Sequence, residues 1–168
     1  MKLINKMQFS LIALFIVSLA SAQGKPKSTK EMISGKINDA TITVNYGSPS
    51  VNGREIWGGL VPFNQVWRAG ANEATTFETT KDVMVEGSKL AAGKYSFFLI
   101  PNEKECIIIF NKVAKQWGSG KYDEKEDQLR VKVKQQAVKM PTEKLTYKIE
   151  KNKMILNWSN WSIPISIK

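Results

Sequence analysis

Lys94-Tyr95-Ser96-Phe97-Phe98-Leu99-Ile100, then Pro101-Asn102-Glu103-Lys104, then Glu105-Cys106-Ile107-Ile108-Ile109-Phe110 is the stretch that decides the fold. Both runs are apolar on each side of a two-residue alternation. Tyr95, Phe97 and Leu99 oppose Phe98 and Ile100, and Ile107 and Ile109 oppose Cys106, Ile108 and Phe110. A continuous apolar run of strand length marks a strand buried on both faces. The four residues between the runs supply turn chemistry. Two such neighbours predict stacked sheets rather than a small open barrel.

The same period extends in both directions. Upstream, Ile42, Val44 and Tyr46 alternate with polar residues, and Asn38-Asp39 is a turn, so Met32 to Tyr46 reads as a hairpin. Thr75 to Thr80 and Asp82 to Glu86 follow, closed by Gly87-Ser88. Downstream, Leu129, Val131 and Val133 oppose Arg130, Lys132 and Lys134. Leu145, Tyr147 and Ile149 form the next apolar face, followed by Met154, Leu156 and Trp158. Beyond Ser159-Asn160 the set is Trp161, Ile163, Ile165 and Ile167. These short-turn strands predict an antiparallel meander. A short turn of helix over Pro62 to Trp67 is the one helical expectation in the mature chain. The reading is an all-β, antiparallel, jelly-roll-like sandwich of about nine or ten strands, preceded by a signal-peptide helix.

That leader rests on Lys2 and Lys6, the apolar run Phe9 to Leu19, and the small-residue site Ala20-Ser21-Ala22. The run is too short for a permanent span, so residues 1–22 read as cleaved and 23–168 as one domain with no transmembrane anchor. The expected location is periplasmic or secreted. The formal charge is +10 over 168 residues, and the lysines are scattered. Export and that scatter argue against nucleic acid and favour an anionic small molecule or glycan as partner. The oligomeric state is open. No histidine is present, which excludes Ser-His-Asp and Cys-His catalysis and imidazole zinc sites. Cys106 is the only cysteine and sits in an apolar run, where a thiol is inert. No cofactor or metal site is implied.

The unusual residues gather in the irregular stretch Gly47 to Asn72. Long loops without regular structure are uncommon and often functional. Arg54 and Arg68 beside Trp57 and Trp67 offer bidentate forks and stacking faces for a carboxylate, phosphate or acidic sugar. Tyr46, Asn72 and Glu73 complete the candidate ligand set, and no residue is assigned a catalytic role. The competing structural reading has the aromatics plugging one end of the sandwich while Arg68 and Glu73 form an ion pair. Asp123, Glu124, Glu126 and Asp127 lack calcium-loop spacing and read as a solvated acidic turn. Pairing Glu73 with Asp123 or Asp127 would supply the carboxylates of a glycan hydrolase, the alternative to a non-catalytic binding or structural domain. Arg130, Lys132 and Lys134 read as the wet side of an outer strand.

The block Tyr46-Gly-Ser-Pro49-Ser50 through Gly53-Arg54, Gly58, Leu60-Val61-Pro62-Phe63 and Val66-Trp67-Arg68-Ala69-Gly70-Ala71-Asn72-Glu73-Ala74-Thr75 resembles a bacterial family catalogued as domain of unknown function 2911. The likeness continues through Leu90 to Ser96, Phe110-Asn111, Trp117-Gly118 and Tyr122 to Val131. Gln128 departs from it, at a site usually apolar. The resemblance implies an exported β domain and supplies no activity.

Overall fold

The computed structural model describes residues 28–168, so the leader expected over residues 1–22 lies outside the described residues. Ten strands form in chain order: β1 (Thr29–Ile37), β2 (Ala40–Ser48), β3 (Thr75–Thr79), β4 (Val83–Val85), β5 (Ser88–Leu90), β6 (Gly93–Ile100), β7 (Cys106–Asn111), β8 (Asp127–Val133), β9 (Gln136–Glu150) and β10 (Lys153–Ser166). One six-stranded sheet has the order β1-β2-β3-β6-β7-β8, every pair antiparallel. The β9–β10 and β4–β5 hairpins make the opposing layer. Main-chain bonds between Met84 and Lys168 join these hairpins side by side. Past the end of β2, the Val51 N–H donates to Glu143 O and the Leu145 N–H to Pro49 O. The chain leaving β2 therefore steps from one sheet to the edge of the other. The expected all-β antiparallel sandwich is what forms.

The alternation places the core between the layers. Val44, Phe77, Phe97, Ile108 and Phe110 from the large sheet share one buried cluster with Leu145, Tyr147, Leu156, Ile163 and Ile165. Phe97 stands opposite Phe110, and Leu99 opposite Ile108. The other faces of β6 and β7 are also buried, as their double-sided apolar runs require. Phe98 and Ile109 form a second cluster with Ala74, flanked by Val66 and Tyr122. Their cover is connecting chain rather than a further sheet.

Three local expectations are corrected. β8 pairs with β7 and β9 with β10, so the chain changes sheets at Lys134-Gln135 instead of continuing a meander. Ser159-Asn160 does not end a strand. The register shifts on either side of Ser159, whose φ is 51°, and β10 runs on. Across this irregularity β10 advances from Asn157 to Trp161 while β9 passes from Thr146 to Ala137, and the left-handed backbone of Ser159 breaks the side-chain alternation of β10. Core positions therefore pass from even-numbered Met154, Leu156 and Trp158 to odd-numbered Ile163, Ile165 and Ile167 without leaving the inner face. Pro62 to Trp67 forms a turn rather than helix, and the described residues contain one 3-10 segment, Glu124–Glu126.

Candidate functional site

The segment after β2 is assembled around tight main-chain contacts. The Trp67 N–H donates to Leu99 O at 2.8 Å and the Leu99 N–H to Trp67 O at 2.9 Å, which lays Trp67 beside β6. Ala69 has φ 51°, and its carbonyl accepts both the Tyr147 hydroxyl at 2.7 Å and the Thr75 hydroxyl at 3.0 Å. The Ala71 N–H donates to Gly47 O at 3.1 Å. Asn72, with φ 66°, presents its carbonyl to the Gly118 N–H at 3.1 Å, and the Ala74 N–H donates to Gln116 O at 2.9 Å. Those last two bonds flank the antiparallel pair Glu73 and Trp117.

The candidate residues separate into groups. Trp57 and Trp67 are buried and pack with Trp158 and Trp161, Trp57 stacking on Trp161 at 4.5 Å and 12°. Trp67 stacks on Trp158 at 5.6 Å and 15°. The indoles therefore fill one end of the sandwich interior. Arg54 is exposed and donates from Nε to Val51 O at 3.0 Å and from Nη2 to Ser50 O at 2.6 Å, fastening its own loop. Arg68 follows Trp67, so strand alternation directs it to the opposite face of the sheet. Its Nε is buried without a partner among the described residues, and burial lowers the guanidinium pKa. The anticipated Arg68–Glu73 ion pair does not form. Glu73 pairs instead with Lys30 at 3.4 Å, because the turn at Asn72 carries it toward β1.

Tyr46, Asn72 and Glu73 do come together. They line a groove of about 620 Å³ at the end of β1 and β2, with Lys30, Glu31, Asn45, Thr76, Lys94 and Lys115. Tyr46 is buried edge-on against Tyr147 at 4.8 Å, and burial raises its pKa. The Lys30–Glu73 pair and the Lys94–Glu78 pair, both at 3.4 Å, are solvent-exposed. Lys115 makes no ion pair among the described residues. Three cations face two carboxylates in this lining, and exposed pairs of this kind exchange partners at little cost.

The profile of the family described as "Protein of unknown function (DUF2911)" matches residues 28–167. The chain belongs to the DUF2911 family. Comparison with curated proteins and with solved structures gives no match. The DUF2911 match spans every strand of both layers. Much of the Trp67-to-Glu73 segment has an architectural explanation in the contacts above.

The acidic cluster divides in the same way. Asp123 Oδ1 accepts the Lys125 N–H at 3.0 Å, Glu124 pairs with Arg130, and Glu126 with Lys112 at 3.5 Å. Asp127 instead turns inward, its side chain 5% exposed. It accepts the Tyr122 hydroxyl at 2.5 Å and Asn111 Nδ2 at 2.9 Å, with Arg130 Nε at 3.7 Å. The solvated acidic turn is thus corrected at one position, where a carboxylate pins the covering loop to the sheet. Burial first, and the hydrogen bond to Asp127 next, drive the Tyr122 pKa up. Asp127→Ala leaves the buried Tyr122 hydroxyl without its acceptor and takes one of two from Asn111 Nδ2, while Arg130 keeps Glu124. It is expected to cost about 2–4 kcal/mol in chemical denaturation, with Asp127→Asn losing less.

Trp117, the bridge partner of the groove residue Glu73, is a residue that sequence reasoning did not place in the site. It is 70% exposed. Its signal was available: this tryptophan, between Lys115 and Gly118, belongs to none of the apolar alternations.

Proposed function

We propose that this chain is an exported, non-catalytic binding domain that takes an anionic small molecule or glycan fragment in the groove beside β1 and β2. The observation that carries the reading is the lining itself. Lys30, Lys94 and Lys115 surround Asn45, Asn72 and Thr76 in a concavity of about 620 Å³. Ammonium groups supply attraction for a carboxylate or phosphate, while amide and hydroxyl groups fix its orientation. Export rests on the leader-like sequence over residues 1–22.

Glu31 and Glu73 line the same groove, which is the point in favour of the glycan-hydrolase alternative. A carboxylic general acid at neutral pH is normally tuned by desolvation. Glu73 is 53% exposed and ion-paired with Lys30, an environment that favours binding over acid catalysis.

The test is calorimetric titration of the purified protein with inorganic phosphate and with galacturonic acid, wild type against Lys115→Glu. Saturable binding is expected, weakened about tenfold or more by the charge reversal with no change in melting temperature. Absence of binding, or affinity indifferent to Lys115, overturns the reading.

A further inference from the structure

The sequence holds five tryptophans, and Trp57, Trp67, Trp158 and Trp161 stack together at the end of the sandwich. Trp117 is the fifth and is 70% exposed. Its backbone is nevertheless well held. The Gly118 N–H bonds Asn72 O at 3.1 Å and the Ala74 N–H bonds Gln116 O at 2.9 Å, either side of the Glu73–Trp117 pair. In an antiparallel arrangement this is the pair without mutual main-chain bonds, whose side chains stand closest and project from one face. Glu73 lines the groove, and so does Lys115, two residues before Trp117. Trp117 is not itself in the lining, but its bridge to Glu73 holds it next to the groove, with most of its surface in water.

We infer that Trp117 is a sugar-stacking platform and that the groove's ligand is an acidic saccharide, one ring lying on the indole and its carboxylate reaching the groove lysines. The inference rests on the binding reading above and names its substrate class. The negative π face of an indole complements the C–H face of a pyranose, and the ring is large and rigid. A uronic acid carries its carboxylate on a ring carbon, at the edge of the stacked ring, where it is free to reach a neighbouring ammonium group. Lys115 is the groove cation nearest to Trp117 in sequence and is free of ion pairing among the described residues. Asn72 and Thr76 supply hydrogen-bond partners for ring hydroxyls. Inorganic phosphate would use the lysines without touching the indole. That difference separates the platform from simple anion binding.

The experiment titrates di-galacturonic acid and inorganic phosphate into wild type, Trp117→Ala, Trp117→Tyr and Lys115→Glu. The expected result is about tenfold weaker uronide binding in Trp117→Ala, partial recovery in Trp117→Tyr, and phosphate binding unchanged in both. Unaltered melting temperatures are expected for the Trp117 variants, since the side chain is mostly exposed. If Trp117→Ala binds the uronide like wild type while Lys115→Glu loses both ligands, the platform is wrong and the anion groove survives. If wild type binds neither ligand, the platform and the groove fall together.

Discussion

Gly47→Ala is expected to destabilise the protein by about 3–5 kcal/mol, against a negligible change for Gly120→Ala. A Cβ at position 47 would lie 2.1 Å from Ala71 O and 2.9 Å from Ala71 C, both main-chain atoms. No rotamer change relieves that overlap, so one backbone has to move. The movement opposes a chain of contacts, because Gly47 O accepts the Ala71 N–H at 3.1 Å. A Cβ on Gly70 would itself come within 3.0 Å of Gly47 O, so the next residue is packed as tightly. Displacing this turn pulls Ala69 O away from the buried hydroxyls of Tyr147 and Thr75. Gly120 has nothing within 4 Å of its would-be Cβ, which makes it a fair control. Urea unfolding of both variants gives the comparison, and a loss below about 1 kcal/mol for Gly47→Ala would refute the close approach.

This contact explains much of what the sequence could and could not reveal. The alternation of Tyr95 to Ile100 and Cys106 to Phe110 announces strands covered on both sides, and both are. It does not announce the cover, because Val66, Ala74 and Tyr122 come from separate connections with no period of their own. The parity change from Trp158 to Trp161 was visible as a break in an apolar series. A bulge and a turn leave the same mark in sequence, and only pairing to β9 distinguishes them. Lys134-Gln135 resembles any short polar turn, yet it carries the chain between layers.

The candidate site was legible in composition and opaque in direction. A segment dense in Trp and Arg satisfies both a ligand pocket and an interior plug. The aromatic stacking places Trp57 and Trp67 in the plug. The same segment delivers Asn72 and Glu73 to a groove whose other members, Lys30, Lys94 and Lys115, lie far away in sequence. Scattered lysines on a chain of net charge +10 carry no local signal, and only folding shows which of them converge.

Alkaline unfolding should be steep and should begin near pH 9. The sequence contains four tyrosines and one cysteine, and in the folded protein all five are held protonated. Burial is the largest cause for each. Tyr147 donates to Ala69 O, Tyr95 donates to Ala91 O at 2.9 Å, and Tyr122 donates to the Asp127 carboxylate. Cys106, with no exposed surface, has its pKa pushed up from 9.0 to about 11. Above pH 9 the unfolded chain releases the thiol proton while the folded chain keeps it, so the unfolded state binds fewer protons and stability falls as pH rises. The cysteine alone removes about 2–3 kcal/mol as pH climbs through about 11. The tyrosines act in the same direction above pH 10, because their folded pKa values are also raised. The full effect of the thiol is present below pH 9, so guanidinium midpoints should be flat between neutrality and that point and then drop. Cys106→Ala should flatten the first part of the decline and leave the tyrosine part intact. Folded protein whose tyrosinate absorbance develops with an ordinary midpoint near pH 10 would contradict the burial that holds these two sheets together.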